Sequence, residues 1–285
     1  MLIDAGYQEY LDQKGLKADE YTYTETLACT VSHEMPDGAY MFVGTGLPLL
    51  AAGLAQRTHA PGVTVILEAG TIGPQQKQSP ISIADPRASY HAFTLGTLVD
   101  AFATTAARGY CTLGVLSGAQ CDMYANLNST SMGDYRPAAI SGTGRGPKTR
   151  LAGSGGAGDI AALSDKVIVM MLHEKRRFPE RVDYITSVCG MRGPKGETRY
   201  DYGLFRGGDV VVITDLCLMR PDPETGILYA TEIFPGVSPH DIKNNTGWDI
   251  DVRRAAPMRM PTFEEIRILR MEVDPDRMYL DRKKN

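Results

Sequence analysis

Apolar positions in the first third of the chain switch between two spacings. Leu27, Val31 and Met35 recur every fourth residue in ETLACTVSHEM (25–35), which predicts a helix. After the Asp37–Gly38 turn, AYMFV (39–43) is a short apolar run of strand character. GTGLP (44–48) is a glycine-rich turn. LLAAGLAQRTH (49–59) returns to helical spacing and stops before Pro61–Gly62. VTVIL (63–67) then reads as a second strand. Strand, turn, helix, strand is a βαβ unit and implies parallel pairing.

The alternation continues. YHAFTLGTLVDAFATTAARG (90–109) predicts a long helix, CTLGVLSGAQ (111–120) a strand, and KTRLAGSGGAGDIAALS (148–164) a glycine-rich turn that opens a helix. DKVIVMMLH (165–173), RVDYITSV (181–188) and DVVVITDLCLM (209–219) read as strands, and GILYATEIFPG (226–236) as a hairpin arm. SPHDIKNNTG (238–247) begins a helix with Ser238 as its N-cap, and TFEEIRILRMEVDP (262–275) is the last helix, capped by Thr262. This order predicts an α/β fold: an open, mostly parallel, doubly wound sheet with helices on both faces. Residues 23–285 form the expected single domain. Residues 1–22, rich in charges and tyrosines, are expected to be an N-terminal arm outside the core.

Composition narrows the classes. Of 285 residues, 43% are hydrophobic, enough for a sizeable core. The net charge of −4 and the scattered basic residues give no reason to expect nucleic acid as a partner. No apolar run exceeds strand length, so no membrane span is expected, and the polar start MLIDAGYQEYLDQKG lacks the apolar stretch of a signal peptide. Cys29, Cys111, Cys121, Cys189 and Cys217 are widely spaced, which disfavours a zinc site and suits reduced thiols in a cytoplasm. No metal is expected.

Several stretches can carry chemistry, each beside a plainer reading. Glu68, in VTVILEAGTIGP (63–74), is one acid at the end of an apolar strand. Functional groups gather at the carboxyl ends of strands in open α/β sheets, where a carboxylate can be base, ligand or nucleophile. It can equally cap a helix or pair with an arginine. Gly70 leaves room for a substrate to approach the backbone. Gly44, Thr45 and Gly46 precede a helix, where N–H groups can meet an anion, but lack the remaining marks of a nucleotide loop. GSGGAGD (153–159) can present successive N–H groups to an oxyanion or can be a flexible loop. The polar loop GAQCDMYANLNSTSMGDY (118–135) can bind a polar ligand or hold itself together. HEKRRF (173–178) is a solvated basic turn or an anion contact.

The order of these runs resembles the β subunits of the glutaconate CoA-transferase family of class I CoA-transferases. VGTGLPLLAAGLAQRTHAPG, VILEAGTIG, SGAQCDMYANLNSTSMGDY, KTRLAGSGGAGDIA, IVMMLHEKRRFPERVDYITS and NNTGWDIDV carry the resemblance, from about residue 24 to about 276. It implies the CoA-transferase family I fold and a ping-pong reaction. The family's nucleophilic glutamate matches Glu68, which would form a mixed anhydride and then a glutamyl-CoA thioester. Gly155 and Gly156 would stabilise the oxyanion, while Gly44, Thr45, Gly46, Gly70 and Ser154 would line the substrate and CoA crevice. CoA is a substrate in this reading, and no cofactor is expected. The implied partner is an α subunit in a hetero-oligomer, and the implied substrates are an acyl-CoA and a short dicarboxylic acid such as glutaconate. Relatives that act as lyases or hydrolases on CoA thioesters offer an alternative, with Glu68 as base. A third reading is a non-catalytic subunit that stabilises its partner. RPAAISGTGRGP (136–147) is longer than the family's connection, and Ala69 replaces the usual Ser or Asn.

Overall fold

A computed structural model describes residues 3–75, 77–83, 85–133, 147–193 and 195–281. The chain divides into two compact units, residues 1–105 with 259–285, and residues 106–258. The extra stretch 136–147 falls outside the described residues except for its last position.

In the first unit, β1 (Tyr40–Phe42) and β2 (Thr64–Ile66) are parallel, with Phe42 opposite Ile66. The helix Leu47–Arg57 connects them, giving the expected βαβ unit. β2 then folds back on β3 (Thr71–Ile72), which pairs antiparallel with β4 (Thr94–Leu95). The helices Tyr23–His33, Leu47–Arg57 and Phe263–Ile268 bury one core containing Cys29, Leu50, Leu54, Ile266, Leu269 and Val273. Burial of each large side chain contributes about 1.5–3 kcal/mol.

Two expectations change here. Residues 1–22 are not outside the core. The helix Ala5–Lys14 places Tyr7, Tyr10 and Leu11 on one face, buried with Phe263 and Met271 beside them. The reason is aromatic area: two tyrosines at i and i+3 offset the charges on the other face. The long helix over 90–109 is replaced by the β4 strand and then a helical segment, Asp100–Ala106. Gly96 marks the break; its N–H donates to the Gly70 carbonyl at 3.0 Å, so a sheet contact outcompetes helix propensity.

In the second unit, β5 (Leu113–Leu116), β10 (Lys166–Met170) and β12 (Asp209–Ile213) are parallel neighbours. Their Val, Ile and Leu runs are buried without alternation, as expected of strands covered on both faces. The stretch 209–219 is not one strand. It bends at Thr214 into β13 (Cys217–Pro221), antiparallel to β12, and β14 (Leu228–Ile233) continues the meander as the expected hairpin arm. The Thr214 hydroxyl accepts from the Leu216 and Cys217 N–H groups at 3.1 and 3.0 Å, a side-chain turn without glycine or proline. β15 (Ala256–Pro257) runs parallel to β14. A small antiparallel sheet joins β6 (Gln120–Cys121), β7 (Asn126–Asn128) and β11 (Ser187–Val188). Of the strand expected over 181–188, only β11 pairs; Asp183 instead accepts from Gln120 and from the Gly133 N–H. The fold is thus α/β, its parallel strands extended by antiparallel hairpins. The caps expected at Ser238 and Thr262 are both present as capping boxes. Among the described residues, no helix is long and apolar enough to cross a membrane.

Candidate functional site

The sequence-selected residues fall in both units. In the first, Glu68 stands two positions past the end of β2, in a tight turn. The Gly70 N–H donates to the Leu67 carbonyl at 2.9 Å, and the Leu67 N–H donates to the Thr71 carbonyl at 2.8 Å. Val65, Ile66 and Leu67 are buried and anchor the turn. Gly70 has φ +108°, and a Cβ there would come within 2.5 Å of the Gly96 backbone, so only glycine fits. Glu68 itself is half-buried, and among the described residues its carboxylate makes no hydrogen bond or ion pair. A partly desolvated, unpaired carboxylate keeps its lone pairs available for chemistry.

The register that sets Phe42 against Ile66 carries the Gly44–Thr45–Gly46 turn out at the same carboxyl edge of the parallel pair. Gly46, at φ +96°, is the N-cap of the helix Leu47–Arg57, which has no side-chain cap. Gly44 is exposed and Thr45 half-buried. The two sequence signals at the end of β1 and β2 therefore belong to one edge.

In the second unit, the glycine-rich loop is fastened from below. The Leu151 N–H donates to the Thr130 carbonyl at 3.0 Å and the Gly153 N–H to the Ser129 carbonyl at 2.9 Å. Ser129 in turn donates its N–H to the Thr186 hydroxyl at 2.9 Å, and the hydroxyls of Thr130 and Thr186 are 2.8 Å apart. Gly153 and Gly155 have φ of +103° and +48°. Gly156 caps the short helix Ala157–Leu163, and the Ser154 carbonyl accepts from the Ala157 N–H at 2.9 Å. Among the described residues, the N–H groups of Gly155 and Gly156 have no acceptor. A cavity of about 500 Å³ opens here, lined by Ser154 and Gly155 together with Thr130, Arg150, Tyr184 and Thr186. Arg150 and Tyr184 were not singled out by sequence reasoning. The available signal was that Arg150 stands five positions before Gly155.

The polar loop chooses its self-holding alternative. Asp122 accepts from the N–H groups of Tyr124 and Asn126, both at 3.0 Å, and Asn128 bridges Gln120 and Ser131. Burial still leaves the Asp122 carboxyl above its usual range. HEKRRF likewise satisfies itself: Glu174 accepts from Arg176 at 2.6 Å and lies 3.5 Å from Arg177. His173 is buried between the hydroxyls of Thr214 and Thr246, each at 3.0 Å, and burial pushes it down to about 4. Thr246 and Gly247 come from NNTGWDIDV, and the Gly247 N–H donates to the Phe178 carbonyl at 2.7 Å, so these two runs hold one another. Arg199, fully buried, was also missed. Its guanidinium donates to the carbonyls of Val188, Ala161 (2.9 Å) and Arg206 (2.8 Å), bracing the helix after the glycine loop. Among the described residues, no three His, Cys, Asp or Glu side chains gather as metal ligands.

Comparison with known proteins adds three findings. Residues 24–245 match the family described as Coenzyme A transferase. The chain is 36% identical over 270 residues to the β subunit of glutaconate CoA-transferase of Acidaminococcus fermentans, covering 91% of this chain and 95% of that one. It is 34% identical over 251 residues to the β subunit of 3-oxoadipate CoA-transferase of Pseudomonas knackmussii, covering 88% and 92%. The crystal structure of glutaconate coenzyme A-transferase from Acidaminococcus fermentans superposes with a TM-score of 0.82 at 34% identity, over 93% of this chain and 99% of the other.

Proposed function

The chain belongs to the coenzyme A transferase family, and from that premise we propose that it is the β-type subunit of a two-chain enzyme with Glu68 as covalent nucleophile. The enzyme moves CoA between an acyl-CoA and a carboxylic acid. Both relatives carry a dicarboxylic acid in their names, so the acid assigned here is a short dicarboxylate of the glutaconate type. Both are named as the second of two kinds of subunit, so the partner assigned is the matching α chain.

The chemistry runs in balanced steps. The Glu68 carboxylate attacks the thioester carbonyl, the acyl–sulfur bond breaks, and a mixed anhydride and CoA thiolate result. The thiolate attacks the Glu68 carbonyl of the anhydride, and the original acyl group leaves as its free acid. Glu68 now holds CoA as a thioester. An incoming acid attacks it and reverses the sequence. Each attack builds negative charge on a carbonyl oxygen, and the N–H groups of Gly155 and Gly156 are assigned to receive it. Gly44, Thr45, Gly46, Gly70 and Ser154 are assigned to substrate and CoA contacts. The single observation that carries this reading is the half-buried Glu68 carboxylate, fixed on a tight turn at a strand end and left without a partner among the described residues. CoA enters as substrate, and the scheme calls for no cofactor. Five buried cysteines with unpaired thiols suit a reducing compartment, and the cytoplasm is assigned accordingly.

The test uses the assembled two-chain complex. Incubation with acyl-CoA alone should leave a CoA adduct on Glu68 by mass spectrometry, and borohydride should reduce that residue to its alcohol. Glu68→Ala should lower kcat by roughly 10⁴-fold or more, as removal of a covalent nucleophile does. An active complex with no adduct, or turnover that needs no acceptor acid, would assign Glu68 to lyase or hydrolase chemistry instead. Unchanged activity in Glu68→Ala would make this chain a non-catalytic partner.

A further inference from the structure

We infer that Arg150 is the specificity-determining residue that receives the second carboxylate of a dicarboxylic acyl group. The inference rests on the transferase reading above and extends it to substrate choice.

Three observations in the second unit converge. The cavity beside the glycine-rich loop has a volume of about 500 Å³, and Arg150 is the single cation among its described lining residues. Arg150 closes β9 (Thr149–Arg150), where it pairs with Ser131 of β8 (Ser131–Met132). From there the backbone is tied at Leu151 to the Thr130 carbonyl and at Gly153 to the Ser129 carbonyl. The segment from Arg150 to Gly155 is thus fastened along its length. It carries a guanidinium at one end and, among the described residues, N–H groups without acceptors at the other.

An acyl group with one carbonyl and one distal carboxylate matches that pair of donors. The carbonyl oxygen takes the Gly155 and Gly156 N–H groups, and the carboxylate takes the guanidinium fork. Arginine suits this task better than lysine because its planar donors meet both carboxylate oxygens. Asp159, the single acid among the described lining residues, repels a carboxylate that strays from Arg150 and so favours one orientation. The hydroxyls of Thr130 and Thr186 are already engaged with each other and with the Ser129 N–H, which leaves the arginine as the strongest donor to the acid. A monocarboxylic acyl group of equal length would put a methyl group against that donor. Sites built to bind a polar group discriminate strongly against analogues that lack it.

The experiment compares glutarate with pentanoate, acids of equal chain length, as acceptors from acetyl-CoA in the two-chain complex. The wild-type complex should prefer glutarate. Arg150→Gln should lower kcat/KM for glutarate by about 10- to 100-fold, chiefly through KM, as loss of a charge-assisted contact does. Pentanoate should change by less than about threefold, and Arg150→Lys should restore part of the loss. The KM for acetyl-CoA should stay as in wild type. Equal losses on both acids, no preference for glutarate in the wild type, or no change in Arg150→Gln would overturn the assignment. A raised KM for acetyl-CoA would overturn it too, moving Arg150 to the CoA phosphates. Acetyl-CoA alone should load Glu68 equally in wild type and Arg150→Gln. Absence of the adduct from both proteins would remove the role of Glu68, while the ratio between the two acids would still report on Arg150.

Discussion

Glu25 and Glu68 lie in the same compact unit, and both carboxylates are withdrawn from bulk water, Glu25 fully and Glu68 in part. Their surroundings differ in kind. Glu25 accepts from Arg270 at 2.8 and 3.0 Å, from Arg277 at 2.8 Å and from the Thr22 N–H at 2.8 Å. Arg270 also donates to the Tyr7 hydroxyl and to the carbonyls of Lys17 and Glu20, so one carboxylate ties the N-terminal segment, the helix Tyr23–His33 and the C-terminal segment together. Glu68 accepts nothing among the described residues. A structural carboxylate is saturated with donors, and saturation lowers its nucleophilicity. A carboxylate meant for attack must be held by its backbone instead, and the turn closed by Leu67 and Gly70 does that.

The largest effect should come from reversing the first case. Glu25→Gln leaves Arg270 and Arg277 buried beside a neutral amide. Removing one member of a buried ion pair typically costs about 3–5 kcal/mol. Thermal and denaturant unfolding should show that loss, while kcat per folded complex stays near wild type. The pH dependence gives an independent check. Burial by itself would raise the Glu25 carboxyl, but the bonds from Arg270 and Arg277 carry it below its usual value. The folded state thus binds that proton less readily than the unfolded chain. Its stabilising contribution is complete above the ordinary carboxylate range and is lost as pH falls through the lowered value. Glu25→Gln should flatten the acid limb of the stability profile. Glu68→Gln should do neither: its unfolding should stay within about 0.5 kcal/mol of wild type. A steep acid limb that survives in Glu25→Gln would break the contrast.

The sequence made one side of this contrast legible and hid the other. Glu68 stands out locally, because one acid after Val65, Ile66 and Leu67 breaks an apolar run. The βαβ order, the caps at Ser238 and Thr262, and the glycine loop before Ala157 are local as well. The Glu25 network is not: its arginines lie 245 and 252 positions away, so nothing near Glu25 announces them. The same distance problem hid the burial of Tyr7 against Phe263 and the pairing of Thr94–Leu95 with β3. The turn at Thr214 was missed for a different reason. A threonine hydroxyl replaces the glycine or proline that usually marks a reversal. Arg150 gained meaning only once the cavity beside Gly155 was seen.

A middle-sized effect is expected from disturbing the turn without touching the carboxylate. In Gly70→Ala, the new Cβ meets the Gly96 carbonyl at 2.5 Å and the residue keeps a positive φ. Strain of that kind costs about 1–3 kcal/mol. The turn should relax by shifting, and Glu68 shifts with it, so kcat should fall more than KM rises. Gly44→Ala is the matched control for stability, because a Cβ there meets nothing within 4 Å. Equal destabilisation of the two variants would show that backbone strain at Gly70 does not hold the carboxylate.

The smallest effect separates an unpaired carboxylate from an unpaired hydroxyl. Ser154 also has no side-chain hydrogen bond among the described residues, but it is exposed, so water remains its partner. Its carbonyl, which accepts from the Ala157 N–H, and the following glycine N–H groups belong to the backbone and survive substitution. Ser154→Ala should therefore leave unfolding unchanged and keep kcat near wild type. A single neutral contact to substrate is worth about 0.5–1.5 kcal/mol, so KM should rise by about two- to tenfold. Steady-state kinetics on the two-chain complex distinguishes the cases. A fall in kcat of roughly 10²-fold, the scale of a lost oxyanion donor, would place the hydroxyl in the reacting shell and make the backbone N–H groups insufficient.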